Sequence, residues 1–115
     1  MLIRQAYMMR LKPGGAEEYR RLHQHVPRQV LLDEAAAGAI EETIFEHDGI
    51  LFGVSIVRDD QVWERARHSE ACLQWALTLE PYLELGADGT AAVTPLTEIY
   101  HHRHAIPDAA GGNEA

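Results

Sequence analysis

The feature that most constrains this chain is a hairpin signal near its middle. His47-Asp48-Gly49 lies between two apolar stretches, Ala39 to Phe45 and Ile50 to Val57. Asp-Gly tolerates the positive φ that a tight hairpin turn demands, so these stretches are expected to be adjacent antiparallel strands. A strand pattern and a helical pattern precede the hairpin, and a helical pattern and a strand pattern follow it. With 115 residues the chain has room for one core. All six elements must share it, and the order β-α-β-β-α-β is the ferredoxin-like arrangement, an α+β fold.

The outer elements follow from local chemistry. Leu2 to Leu11 places Ile3, Tyr7, Met9 and Leu11 against Arg4 and Arg10, a strand pattern, and Lys12-Pro13-Gly14-Gly15 ends it. From Ala16 to Ala37, Tyr19, Leu22, His23, Val26 and Val30 recur on one helical face. Pro27 lacks the N–H that the helical ladder needs, so it should kink or split this helix near Val26, and Gly38 suits its C-cap. The unbroken apolar run of Ile50 to Val57 suggests burial on both faces. Asp59-Asp60 can cap a second helix through Val62, Trp63 and Ala66. That helix restarts at Ser69, with Cys72, Trp75, Ala76 and Leu79 on one face, and Pro81 closes it. Glu84 to Thr94 reads as a loop and Pro95 to His102 as the last strand. Residues 1–104 are thus expected as one domain. The tail, 105–115, has no hydrophobic pattern and is expected to be disordered.

Two helices would cover one sheet face and leave the other bare. A second copy of the chain would close it as a two-fold dimer, whereas a polar outer face would suit a monomer. Lys plus Arg is 10 and Asp plus Glu is 18, a net charge of −8. This balance argues against a nucleic-acid partner, which needs a basic footprint, and against an anionic membrane surface. No apolar run approaches the roughly 18 residues of a membrane span, and no charged leader precedes an apolar stretch at the N-terminus, so no signal peptide is expected. Cys72 is the only cysteine. No internal disulfide is possible, and a cytoplasmic setting fits.

Among residues that carry chemistry, Tyr19 and His23 are four apart on a helix and so lie side by side. A phenol and an imidazole can together deliver and remove protons near neutral pH. Equally, both can be packing residues, with the imidazole satisfied by a carbonyl. Trp63 and Trp75 can stack on a sugar ring or anchor helices on the sheet. Seven histidines are present, but neither Cys-x-x-Cys nor His-Glu-x-x-His spacing occurs, so no metal site is expected. His101-His102-Arg103-His104 suits a solvated strand end, and Cys72 a small core position.

Ala6 to Gly14, the Glu17-Glu18-Tyr19-Arg20-Arg21-Leu22-His23 element, Gly38-Ala39, Leu51-Phe52, Trp63, Cys72-Leu73-Gln74-Trp75 and Pro95 to Tyr100 together resemble the L-rhamnose mutarotases. The likeness runs over about residues 2 to 101. It implies a dimeric α/β barrel of ferredoxin-like protomers and a cofactor-free, metal-free isomerase that interconverts the α and β anomers of a monosaccharide. It places the proton donor at His23 and substrate contacts at Tyr19 and Trp75. An aromatic substrate contact of the family falls on Glu42, and a second Trp on Ala76. Val26 replaces a Trp, and Glu84 to Gly89 replaces an Asn-Pro-Asp loop. Glu42, if it points inward, sets a carboxylate opposite His23 as a complementary base, with Glu41 competing for the role.

The resulting expectation is a mutarotase for L-rhamnose or a related 6-deoxy sugar. The alternative is a divergent dimeric α/β-barrel cyclase, isomerase or monooxygenase for a more apolar ligand, or a ligand-binding module without turnover. Walls made by Val26, Ala76 and Ile44 would favour the apolar guest; hydrogen-bonding side chains would favour the sugar.

Overall fold

The computed structural model describes residues 1–105. Asp48 and Gly49 both have positive φ, 51° and 79°, and His47 pairs with Ile50 across them, so the hairpin turn is the two-residue kind that its sequence announces. It joins β2 (Ala39–His47) to β3 (Ile50–Val57). β1 (Ile3–Arg10) and β4 (Thr94–Leu96) complete an antiparallel sheet in the order β2-β3-β1-β4. This is the ferredoxin-like order that the element sequence predicts.

The long helical pattern splits at the proline. α1 (Ala16–His23) ends before Pro27, and α2 (Arg28–Ala37) begins after it. Pro27 itself is extended, with φ −57° and ψ 137°, and its missing N–H costs nothing at a helix start. Gly38 ends α2 with φ 118°, donating its N–H to Ala35 and Glu34 carbonyls, the left-handed C-cap that glycine accepts without strain. The second helical region is likewise two pieces, α3 (Val62–Ala66) and α4 (Glu70–Leu79). Ser69 caps α4 by accepting the Cys72 N–H at 3.1 Å, as its place at the restart suggests.

Side chains alternate across the sheet, and pairing register assigns the faces. Leu51, Gly53, Ser55 and Val57 face the helices and are buried, in register with Met9, Tyr7, Gln5 and Ile3. Leu51 joins Leu11, Tyr19, Leu79 and Leu83 in the core. Each such fully buried leucine contributes about 1.5–3 kcal/mol. On β2, Glu42, Ile44 and Glu46 share this face, opposite Ser55, Gly53 and Leu51.

Four expectations need correction. β3 is not buried on both faces: Phe52, Val54 and Ile56 are only half-buried, because among the described residues no element lies over the outer face. The last strand spans three residues, not eight. Arg4 meets His101 through its guanidinium at 2.9 Å instead of a ladder, and Ile99 and Tyr100 are exposed with no apolar cover. Asp59 and Asp60 are not the α3 N-cap; Gln61 holds that position, and Asp59 accepts the Gln61 N–H and pairs with Arg65. Ala76 is exposed although Cys72, Trp75 and Leu79 turn inward. The expected tail, apart from Ala105, lies outside the described residues. Among the described residues no helix is long and apolar enough to cross a membrane.

Candidate active site

A cleft of about 1060 Å³ opens between the helix-side face of β2 and β3 and the α1–α2 pair. α1 brings Tyr19 and His23 to it, one helical turn apart, with ring centroids separated by 4.5 Å. The tie that orients the imidazole is local. Its Nδ1 donates to the Tyr19 carbonyl at 2.9 Å, since a carbonyl can only accept. Nε2 is therefore the nitrogen left to accept a proton. Trp75 meets the His23 ring edge-on at 5.2 Å while packing on the core. Trp75 thus steadies the imidazole from α4.

The floor is carboxylate chemistry. Glu42 lines the cleft with Tyr19 and His23. The phenol of Tyr7, on β1, donates to Glu42 Oε2 at 3.0 Å. That reach crosses β3 at Gly53, which pairs with Tyr7 in the ladder. A Cβ on Gly53 would overlap the Tyr7 ring, so glycine is what lets the ring lie across the sheet. Glu42 is exposed over much of its surface, yet the surrounding walls strip enough water to raise its carboxyl above the usual range. The Tyr7 hydrogen bond and the His23 charge act in the opposite sense.

Glu34, on α2, is a second acid in the same cleft. Burial, and next the charge of Glu42, push its carboxyl up to about 7. Two carboxylates in one cleft resist simultaneous ionisation, so Glu34 keeps its proton well above the usual carboxylate range and loses it only around neutral pH. Burial, then Glu42, push the Tyr19 phenol up to about 12 and the Tyr7 phenol well above its ordinary value. Both tyrosines are donors, not bases, at neutral pH.

Of the residues picked from sequence, Tyr19, His23 and Glu42 come together on the cleft, and Glu42, not Glu41, shares the helix-side face. Trp75 reaches the cleft through His23. Ala76 sits on the exposed side of α4. Sequence reading passed over Tyr7 and Glu34. A phenol twelve residues before Tyr19 and a carboxylate eleven residues after His23 carry no local signal; only the register of β1 on β3 brings Tyr7 over Gly53. Trp63 both lines the cleft and donates its indole N–H to Ser55 Oγ at 3.3 Å, so its packing and site readings coexist. Among the described residues no group of three or more His, Cys, Asp or Glu side chains could hold a metal ion.

The sequence profile described as L-rhamnose mutarotase matches residues 4–102. The chain belongs to the L-rhamnose mutarotase family. It is an isomerase of the aldose mutarotase type, and relatives agree across nearly their full length. The L-rhamnose mutarotase of Sinorhizobium fredii is 33% identical over 105 residues, covering 84% of this chain and 94% of the relative. That of Lachnoclostridium phytofermentans is 24% identical over 102 residues, covering 87% and 98%. Among solved structures, the L-rhamnose mutarotase of Formosa agariphila superposes with a TM-score of 0.76 at 20% identity, covering 88% of this chain and 99% of that one. A cofactor-independent oxygenase from Streptomyces nogalater shares the fold more loosely, with a TM-score of 0.57, 14% identity and coverage of 93% and 98%.

Proposed function

We propose that this member of the family interconverts the α and β anomers of L-rhamnose or a related 6-deoxy sugar, with His23 moving the proton. The observation that carries the reading is the oriented imidazole: Nδ1 tied to the Tyr19 carbonyl, the ring held between Tyr19 and Trp75, and a carboxylate, Glu42, in the same cleft. Mutarotation breaks the C1–O5 bond of the hemiacetal. One proton goes to the ring oxygen and one leaves the anomeric hydroxyl, giving the open aldehyde. Rotation about C1–C2 presents the other carbonyl face, and the two proton movements reverse as O5 returns. His23 delivers or accepts one of these protons, and Glu42 serves as the complementary base. An imidazole suits both directions because one ring nitrogen can give a proton while the other accepts one. Tyr19 orients the imidazole and the sugar. The resemblance implies sugar contacts at Trp75 and Ala76; Trp75 acts through its edge contact with His23, whereas Ala76 sits on the exposed side of α4.

The same reading includes a homodimer. Met8, Phe52, Val54 and Ile56 form an apolar stripe on the outer sheet face with no cover from the described residues, and Phe45 beside it is 62% exposed. A second copy packing face to face would bury them. Residues 1–104 act as one domain in this view, β1 to β4 sharing one sheet, and a cytoplasmic setting suits the lone cysteine.

Saturation-transfer NMR on L-rhamnose tests the activity. Wild type should exchange the anomers faster than buffer, and His23→Ala should lose about 10²-fold or more of that enhancement. A wild type silent with L-rhamnose and other 6-deoxy sugars refutes the reading. The alternative of a more apolar ligand draws support from Val26, Leu31 and Ile44 in the cleft wall. It would be favoured if apolar compounds, but no sugar, protected the cleft residues.

A further inference from the structure

We propose that Tyr7 is a positioning residue for the reaction, orienting the Glu42 carboxylate so that its second oxygen faces the sugar opposite His23. The inference rests on the reading of Glu42 as the complementary base. The geometry is specific. Tyr7 and Glu42 lie on strands that do not touch each other, β1 and β2, with β3 between them. Direct contact therefore requires a side chain that spans a whole strand. Tyr7 manages this because the intervening residue at its level is Gly53. Its hydroxyl then reaches Oε2 of Glu42 at 3.0 Å. A carboxylate has two oxygens, and a donor fixed on one leaves the other to serve as acceptor. A glutamate side chain on an edge strand would otherwise sample several rotamers, and only some would aim at the cleft.

The groups that set the charge state of Glu42 come from three directions. Tyr7 approaches from β1 through the hydrogen bond. Tyr19 and His23 face it from α1, with Glu17 and Arg20 farther along that helix on the cleft wall. Glu34 faces it from α2, and Glu41 and Glu46 flank it on β2. Of these, the Tyr7 hydrogen bond and the His23 charge favour the ionised carboxylate. Removing the phenol hydroxyl thus makes Glu42 harder to ionise as well as less well aimed.

The test compares wild type, Tyr7→Phe, Glu42→Gln and the double variant in anomer exchange on L-rhamnose. Tyr7→Phe keeps the ring over Gly53 and deletes only the donor. It should lower kcat about 10-fold, the effect of one charge-assisted hydrogen bond lost in the transition state, with KM changed by less than about 2-fold. The acid limb of its kcat profile should move to higher pH. In the Glu42→Gln background the same change should cost less than about 2-fold, because no carboxylate remains to be positioned. An equal loss in both backgrounds would overturn the proposal by making Tyr7 merely structural. Normal exchange in Glu42→Gln would instead sink the base reading beneath it. A second measurement needs no sugar: the Glu42 side-chain carboxyl carbon, followed by NMR titration, should titrate at higher pH in Tyr7→Phe than in wild type. Identical titrations would overturn the positioning role whatever the activity shows.

Discussion

Gly53→Ala puts the packing beneath the cleft to the test. Gly53 has no special backbone conformation, since its φ is not in the positive region, so alanine is free to adopt it. The cost is steric alone. The new Cβ would sit inside the ring of Tyr7, against Cζ, Cε2 and the hydroxyl, and backbone in the middle of a paired strand cannot retreat. Tyr7 must leave. Its bond to the Glu42 carboxylate goes with it, worth about 1.5–3 kcal/mol for a bond to a charged acceptor. Repacking a crowded sheet face costs about 1–3 kcal/mol more. Alanine returns about 0.4–1 kcal/mol by restricting the unfolded chain. The expected net loss is about 3 kcal/mol, read as a lower urea midpoint at unchanged slope, together with slower anomer exchange. Repeating the change in a Tyr7→Ala background isolates the cause. There the ring is already gone, and Gly53→Ala should be neutral or stabilising by a few tenths of a kcal/mol. An undiminished loss in that background would show that the clash with Tyr7 is not what glycine avoids.

Three further outcomes follow from features already described. Glu34 stays protonated up to about pH 7 in the folded chain but ionises near 4.5 when unfolded, so the stability it contributes is full below 4.5 and declines as pH rises through 7. The full shift corresponds to about 3 kcal/mol, and contact with cleft water reduces this to about 1.5; Glu34→Gln should abolish that decline in urea unfolding across pH 4 to 8, and an unchanged pH slope would refute it. Ser69→Ala removes the cap on the Cys72 N–H and the hydroxyl donated to Asp33 at 2.6 Å, and should cost about 1 kcal/mol in thermal unfolding, with the Asp33 carboxyl returning toward its ordinary range. Phe52→Glu puts a charge in the middle of the bare sheet face and should convert a dimer to a monomer in sedimentation, whereas a wild type that sediments as a monomer would remove the face-to-face pairing.

Much of the fold was legible because it is written in local chemistry. Asp48-Gly49 can hardly be anything but a tight turn, Pro27 cannot continue a helix, and Gly38 and Ser69 sit where caps belong. Tyr19 and His23 were legible for a similar reason: one turn of helix relates them whatever else the chain does. What failed depended on partners distant in sequence. Pro95 to His102 has the composition of a strand, but a strand forms only where another chain segment offers its ladder, and β1 offers that for three residues. Ile50 to Val57 is apolar throughout, which sequence alone cannot divide between a face covered by helices and a face the described residues leave half-buried. Trp75 and Ala76 adjoin in sequence, yet helical rotation turns one toward His23 and the other toward solvent. Tyr7 and Glu34 stayed invisible because their roles arise only from β1 register and from the packing that brings α2 to the cleft wall.

The two-residue turn at Asp48-Gly49 acts as a parity switch for the site. Counting back from it, even-numbered residues of β2 from Glu46 to Glu42 take the helix-side face and odd-numbered ones the outer face. One residue inserted at that solvent-exposed tip, if not absorbed as a bulge, would exchange the two sets. The floor of Glu42, Ile44 and Glu46 would become Thr43, Phe45 and His47. An alteration at the far end of a hairpin would thereby rewrite what the cleft can hold without replacing any residue that lines it. For a lineage exploring new sugars, turn length is as direct a route as substitution, and a comparison of cleft residues alone would miss it.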